Sequence, residues 1–186
     1  MIVRAHAKIN LALDVLEKDQ SGYHKIHTVF QEIHELYNEI EIKESSKASD
    51  HPVVELLQKN YHIDKSVEIR IHRNIPPGSG LGGESSNHAA ILKALNELWK
   101  LDISQEELLN LAADLGMDVP FFIIGGTALG THFGEKITPL RPMHLPIEVS
   151  IKSITGDNKT ARAYAALNLK FCGQNREKTE QLIETI

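Results

Sequence analysis

The sequence predicts a mixed α+β fold, because two different hydrophobic periodicities occupy separate segments of its 186 residues. Apolar and polar residues alternate over residues 2–16 and 66–75, which is typical of half-buried β-strands. In the segment that ends at Trp99, apolar residues recur instead at helical spacing. Ser104 is followed three residues later by Glu107, the pattern of a capping box at the start of a helix. Strands and helices are therefore both expected.

The first predicted strand divides its side chains between two faces. Strict alternation along residues 2–16 places apolar side chains on one face and polar ones on the other. The apolar face comprises Ala5, Ala7, Ile9, Leu11, Leu13 and Val15, and the polar face comprises His6, Lys8, Asn10 and Asp14.

The remaining elements follow in chain order. Gly116 is expected to end the helix that begins at Ser104. The other predicted elements are a strand-rich segment over 26–44, a short helix over 53–61, a turn followed by strands over 117–140, a strand over 147–154, and helices over 160–169 and 176–186.

The composition limits the classes of function. The net charge of −5 argues against a general nucleic-acid binder, which usually carries excess positive charge. A single cysteine, Cys172, allows no disulfide within the chain and fits the cytoplasm. The N-terminus lacks the apolar segment of a signal peptide, and no apolar run approaches the length of about 20 residues that spans a bilayer. We expect no nucleic-acid or membrane partner.

A glycine-rich stretch joins a predicted strand to a predicted helix. It contains Gly78, Gly80, Gly82 and Gly83. Such a loop lets backbone N–H groups approach an anion, and the following helix N-terminus adds unpaired donors. Ser85 and Ser86 stand where that helix begins, and they can cap it, contact phosphate oxygens or hold Mg²⁺.

Three interpretations compete for this loop. The spacing fits a dinucleotide fingerprint, but the required acidic residue, Asp102, follows a helix rather than a strand. The spacing also nearly fits a P-loop, but Glu84 replaces the lysine that contacts phosphates. A glycine-rich turn without a ligand is the third. The density of glycines between strand and helix favours an anion site of another type.

Two charged residues are candidates for phosphoryl-transfer chemistry, which needs a group that orients or deprotonates the acceptor hydroxyl. Asp118 is a lone acid between apolar residues, and it equally fits a turn cap before Pro120. Lys8 lies between alternating apolar residues, where a surface lysine is the simpler interpretation. Residue spacing alone leaves both alternatives open.

The histidines invite a metal hypothesis. His24 and His27 are three residues apart and His34 follows, but no cysteine or carboxylate cluster completes a four-ligand zinc set. We expect no structural zinc site.

Three stretches together resemble the GHMP small-molecule kinases. They are AKINLALDVLEKDQSGYHKIHTVFQ, PPGSGLGGESSNHAAILKALNELW and LGMDVPFFIIGGTALGTHFGEKITPL. The AKINL and GYH elements resemble the member that phosphorylates the 2-hydroxyl of a cytidylyl methylerythritol with ATP, in non-mevalonate isoprenoid (terpenoid) synthesis. The resemblance implies a GHMP kinase fold: an N-terminal domain like the second domain of ribosomal protein S5, over 1–140, and an incomplete C-terminal α/β domain over 141–186.

The resemblance also implies roles for individual residues. Lys8 and Asp118 would form the catalytic pair, and Ser85 would contact Mg²⁺. Asn10, Tyr23, His24 and Tyr164 would bind the substrate. The ATP phosphates would be wrapped by Pro76, Pro77, Gly78, Ser79, Gly80, Leu81, Gly82, Gly83, Glu84, Ser85 and Ser86.

Two departures from the family pattern bear on activity. Glu84 stands where glycine is common, and it adds a negative charge near the triphosphate. The family's third glycine-rich motif has no counterpart after Gly173.

The function implied by the resemblance is an ATP- and Mg²⁺-dependent kinase of a small molecule, acting as a monomer or homodimer. The alternatives are an inactive nucleotide-binding module and a GHMP kinase for another small alcohol.

Overall fold

The structure is a computed structural model that describes residues 1–20, 22–47, 49–143, 148–150, 166–167 and 172–186. Strands and helices are mixed along the chain, as the two periodicities predict. The elements are β1 (Ile2–Lys18), β2 (His24–Ser45), α1 (Pro52–Tyr61), β3 (Ser66–His72), α2 (Gly83–Trp99), α3 (Gln105–Leu115), α4 (Val119–Ile124), β4 (Thr127–Thr131), β5 (Lys136–Pro139) and α5 (Arg176–Thr185).

The strands form one antiparallel sheet organised around β2. The strand order is β1-β2-β4-β5, and β3 also pairs with β2. β2 has 22 residues and can serve two neighbours on one edge. Its first half, over 28–31, pairs with β4, and its second half, over 39–45, pairs with β3. The glycine-rich loop therefore leaves the sheet from β3, beside the middle of β2.

Irregular pairing between β1 and β2 overturns the predicted division into faces. The register shifts between His6 and Ala7, between Asn10 and Ala12, and between Val15 and Lys18. Ala5, which precedes the first shift, belongs to the main core, whereas Ala7, which follows it, packs in a second cluster. At this shift the register leaves residues 34–36 of β2 without a partner in β1, so the pairing on its two sides is offset.

The second shift places an extra residue, Leu11, in β1 and so turns the side chains that follow to the opposite face. Leu13, predicted on the apolar face, is 50% exposed, and Asp14, predicted on the polar face, is buried. Hydrophobic alternation cannot register an extra residue of this kind, because it assumes an unbroken period of two.

The main core lies between the sheet and helices α1 to α4. α2 has the largest buried face, which includes Ile91, Leu92, Leu95 and Trp99. α3 begins as predicted, because the Ser104 side chain accepts a hydrogen bond from the Glu107 N–H, and it ends at Gly116.

α4 corrects one prediction. The apolar segment after Asp118 was predicted to be a turn leading into strands, but it forms a short helix of six residues. Pro120 suits the first turn of a helix, because its fixed φ is already helical and its missing N–H needs no partner there. Phe121 and Phe122 are buried in the core, and this packing outweighs their preference for strands.

α5 packs against β1 and β2, where His27 Nε2 lies 3.4 Å from Glu180 Oε1. It confirms the helix predicted over 176–186. The elements predicted over 147–154 and 160–169, including Tyr164, lie largely or wholly outside the described residues. Among the helices that the structure describes, none has the length and apolar character needed to cross a bilayer.

Candidate active site

A cleft of about 550 Å³ opens where β1, the loop between β3 and α2, and the start of α4 meet. Lys8, Asn10 and Leu13 contribute one wall. Every residue from Pro76 to Ser85 contributes another, and Asp118 stands in the same cleft. The structure thus brings together residues that are more than a hundred positions apart in the sequence.

Lys8 is a buried residue, not the surface lysine of the simpler interpretation. It is 5% exposed, and its Nζ lies 3.2 Å from Asp118 Oδ2. The same ammonium donates a hydrogen bond of 2.8 Å to Asn10 Oδ1. A buried cation is costly unless it is paired and hydrogen-bonded, and these two partners meet that need.

Asn10 is fixed in turn by a short chain of hydrogen bonds. Its Nδ2 donates to Thr28 Oγ1 at 2.7 Å, and that hydroxyl donates to the Ala12 carbonyl at 2.7 Å. The chain orients the Asn10 amide so that its oxygen faces Lys8. Asn10 therefore positions the lysine, besides lining the cleft.

Asp118 occupies the turn between α3 and α4. It stands at the N-cap position of α4, yet within the described residues its side chain makes no capping hydrogen bond. The carboxylate faces Lys8 instead and is 35% exposed, so solvent or a ligand in the cleft can reach it. The geometry therefore does not support the turn-cap interpretation of Asp118, and its chemical role stays a prediction.

The glycine loop approaches the lysine closely. The Lys8 N–H donates to the Leu81 carbonyl at 3.0 Å, which ties β1 to the loop. Gly82 has φ of 72°, and a Cβ there would lie 2.7 Å from Phe122 Cζ and 3.0 Å from Lys8 Cγ. A side chain at Gly82 would therefore displace the loop, which explains why glycine is needed at this point.

The loop leads directly into the N-terminus of α2, where helical N–H groups lack partners. Ser85 lines the cleft in the first turn. Ser86 is 2% exposed and is absent from the described lining, so its side chain belongs to the packing beneath the loop. A glycine loop ahead of a long helix suits an anionic group such as phosphate.

Glu84 is exposed and paired, so it does not stand as an isolated negative charge in the cleft. Its Oε2 accepts a hydrogen bond of 2.9 Å from Arg73 Nη1. Burial alone would raise the pKa of Glu84, but the hydrogen bond and charge of Arg73, with smaller contributions from His88 and His51, lower that pKa below its usual value. Glu84 is thus ionised at neutral pH and largely neutralised by Arg73.

Sequence reasoning missed two asparagines, Asn38 and Asn87, that hold the loop. Asn38 is 1% exposed and its Oδ1 accepts hydrogen bonds from the backbone N–H groups of Asn74 and Ile75, at 2.8 and 2.9 Å. Its Nδ2 donates to Asn87 Oδ1 in α2 at 2.9 Å. An asparagine two residues before Ile40 in a predicted strand was the available signal, because asparagine is depleted in strands.

Tyr23 and His24 lie at the turn between β1 and β2, and neither is among the described residues that line the cleft. Tyr23 is 57% exposed, and its ring centroid is 5.6 Å from that of Phe133. Their assignment to substrate binding remains a prediction.

Fold and cleft together define a domain of the GHMP kinase class. The family described as the GHMP kinases N-terminal domain matches residues 46–126, which include β3, the glycine loop and α4. The matched segment therefore contains Asp118 and the whole glycine loop, whereas Lys8 precedes the matched segment.

Curated relatives narrow the class. The chain is 40% identical to 4-diphosphocytidyl-2-C-methyl-D-erythritol kinase of Caldicellulosiruptor saccharolyticus, over the whole of this chain and 69% of that protein. It is 39% identical to the enzyme of the same name from Clostridium acetobutylicum, over 82% of this chain and 60% of that one. The chain belongs to the GHMP kinase family, and to its branch of 4-diphosphocytidyl-2-C-methyl-D-erythritol kinases. It spans about 60% of the length of several of these relatives.

Solved structures support the same fold. A crystal structure of 4-(cytidine 5'-diphospho)-2C-methyl-D-erythritol kinase matches with a TM-score of 0.71 and 28% identity, over 93% of this chain and 66% of that one. The mevalonate kinase of Methanococcus jannaschii matches with a TM-score of 0.55 and 16% identity, which shows a shared fold alone.

Proposed function

We propose that this chain carries the ATP-binding and acid–base machinery of a kinase that phosphorylates the 2-hydroxyl of 4-diphosphocytidyl-2-C-methyl-D-erythritol. The observation that carries the proposal is the pairing of Lys8 and Asp118, 3.2 Å apart, in the same cleft as the glycine loop. The names and identity of the relatives support the choice of substrate. We place the enzyme in the cytoplasm, as a monomer or homodimer.

In this mechanism, Asp118 accepts the proton of the substrate hydroxyl as the oxygen attacks the γ-phosphorus of ATP. The bond between that phosphorus and the β–γ bridging oxygen breaks, and ADP leaves. Lys8 pairs with the Asp118 side chain and lies close to the negative charge that develops. Positioning and electrostatic stabilisation of this kind supply most of the catalysis in phosphoryl transfer.

The loop from Pro76 to Ser86 would hold the ATP phosphates through its backbone N–H groups. The fit rests on Gly82, whose missing Cβ leaves space between the loop, Lys8 and Phe122. Ser85 offers a hydroxyl toward Mg²⁺, which would neutralise phosphate charge when bound. Arg73 lines the same cleft beside Glu84 and adds positive charge at its rim.

A phosphorylation assay on this chain tests the proposal. The chain is incubated with ATP, Mg²⁺ and the cytidylyl methylerythritol, and ADP release and the phosphorylated product are measured. Mevalonate and homoserine serve as comparison substrates. We expect transfer to the cytidylyl alcohol in preference to both. Preferred turnover of mevalonate or homoserine would overturn the choice of substrate.

A second candidate function is a nucleotide-binding module without kinase activity. Calorimetric ATP binding with no phosphoryl transfer, at saturating substrate and Mg²⁺, would support it against the kinase. The division of the chain at residue 140 into two domains stays a prediction.

A further inference from the structure

Three side chains with metal-ligating atoms meet on the sheet outside the cleft. They are His6 of β1 and Glu32 and His34 of β2, and each contributes one ligand atom that lies within 4.8 Å of the other two. The first irregularity of β1 creates the cluster. His6 pairs with Tyr37 and Ala7 with Ile33, so the intervening part of β2 loops past His6 and brings His34 beside it.

Glu32 is held in place by the turn that follows α4. Its Oε2 accepts a hydrogen bond of 2.8 Å from the Gly126 N–H. The turn packs directly on the carboxylate, because a Cβ at Gly125 would lie 2.7 Å from Oε2. The Glu32 side chain is only 13% exposed. A carboxylate oriented by a backbone N–H has the outer support that is typical of metal ligands.

His6 also has an outer partner of this kind. Its Nδ1 lies 3.2 Å from the His34 carbonyl oxygen, so a proton on Nδ1 is donated to that carbonyl. The lone pair of the neutral imidazole is then on Nε2. Metal-ligating histidines commonly donate their other N–H to a backbone carbonyl, which fixes the tautomer. The His34 side chain is 67% exposed and has room to adjust.

We propose that His6, Glu32 and His34 form a binding site for a divalent transition-metal ion of the zinc type. Two imidazoles with one carboxylate are a donor set that Zn²⁺ uses in sites with three protein ligands and water. Ligand atoms of a tetrahedral zinc ion stand about 3.4 Å apart, as bonds of about 2.1 Å require. His34 Nε2 lies 3.9 Å from Glu32 Oε2, so the exposed His34 side chain would have to rotate to reach that spacing. Mg²⁺ prefers oxygen ligands, so the site is distinct from the one expected at Ser85.

Metal binding would stabilise the segment of β1 that contains Lys8. His6 lies two residues before Lys8, and Glu32 is the residue paired with Lys8 across the two strands. The ion would join β1 to β2 at the irregularity. Since a ligand that binds only the folded state stabilises it, Zn²⁺ should raise the Tm of this chain in a saturable way.

Titration of the untagged chain with zinc chloride tests the site directly. After removal of metal by chelation and dialysis, calorimetry should give one equivalent of Zn²⁺ that excess Mg²⁺ does not displace. Co²⁺ should give the intense visible absorption of tetrahedral coordination. Loss of an outer-shell partner typically weakens metal binding by about 10–100-fold. His34→Ala and His6→Ala should each weaken Zn²⁺ binding by more than that.

His72→Ala is the matched control. His72 lies 3.5 Å from Glu41 on the same sheet, so it offers one imidazole and one carboxylate, but it is not part of the cluster. Its loss should leave Zn²⁺ binding unchanged. Circular dichroism of the metal-free variants checks folding, and His34→Ala, whose side chain is exposed, carries the test if His6→Ala unfolds. Absence of binding by the wild-type chain, or unchanged affinity in His34→Ala, would overturn the proposal.

Discussion

Gly82 offers a sharp test of how the cleft is assembled. Substituting alanine there imposes two penalties. The positive φ of 72° strains any residue with a Cβ, and that Cβ would lie 2.7 Å from Phe122 Cζ. The left-handed conformation costs about 1–2 kcal/mol, and overpacking typically adds about 1–3 kcal/mol. We therefore expect Gly82→Ala to lower the free energy of unfolding by about 2–5 kcal/mol.

Gly80→Ala is a control that separates the two penalties. Gly80 has a similar φ of 80°, but no described atom lies within 4 Å of a Cβ placed there. Only the backbone strain of about 1–2 kcal/mol should remain. Urea denaturation measures the difference. With a slope of about 2 kcal/mol per molar urea, the midpoint of Gly82→Ala should lie about 0.5–1.5 M below that of Gly80→Ala.

Nucleotide affinity supplies a second readout of the same pair. Relief of the clash moves the loop away from Phe122 and Lys8, so Gly82→Ala should bind ATP more weakly than Gly80→Ala in calorimetry. Equal urea midpoints together with equal ATP affinities would refute the idea that close approach at Gly82 shapes the cleft. Backbone strain alone would then account for both variants.

Three further predictions follow from individual contacts. Asp118→Ala should lower kcat by about 10²–10⁴-fold with little change in ATP affinity, as expected for a group that acts as a base. Substitution of the exposed Asp114 by alanine is the control. Near-normal turnover of Asp118→Ala would contradict the assignment. Because Arg73 helps to lower the pKa of Glu84, the ion pair stabilises the fold above the range where glutamate ordinarily titrates, and this contribution disappears as pH falls through the lowered pKa. Glu84→Gln should thus lose about 0–1 kcal/mol at neutral pH and match wild type in acid, measured by denaturation across pH; a difference that persists in acid would exclude the ion pair as its cause. Burial, with the hydrogen bond and charge of Glu107, raises the pKa of Tyr61 to about 12, so the stability that the neutral phenol contributes is lost as pH rises from the ordinary tyrosine range to that value. Tyr61→Phe should remove a titration step near pH 12 from the tyrosinate absorbance curve. If that step remains in the variant, another tyrosine is responsible.

Local patterns along the sequence predicted the type of most described elements. The alternation in residues 66–75 and the capping box at Ser104 both correspond to observed elements, β3 and α3. Such features depend on neighbours a few residues apart, which a sequence displays directly. The helical state of α4 was missed, since its aromatic and β-branched residues favour strands and only burial of Phe121 and Phe122 decides otherwise.

The geometry of the cleft was less accessible to pattern arguments. Strict alternation failed in β1 because the extra residue Leu11, at a shift in register against β2, redirects the side chains that follow it. Spacing left Lys8 and Asp118 as ambiguous candidates, and the family resemblance alone favoured a catalytic pair. The supporting asparagine, Asn38, escaped notice because its partners, the N–H groups of Asn74 and Ile75, are 36 and 37 positions away.

One close contact explains why these distant residues converge. A Cβ added at Gly82 would clash with Phe122 of α4 and crowd Lys8 of β1. The Lys8 N–H also donates a hydrogen bond to the carbonyl of Leu81, the residue before that glycine. α4 begins directly after Asp118, so seating Phe122 against the loop also brings the aspartate to the lysine. The position of Asp118 relative to Lys8 thus depends on a residue with no side chain. A substitution that adds a side chain at Gly82 should therefore disturb the pairing of Lys8 with Asp118, although both of these residues are unchanged.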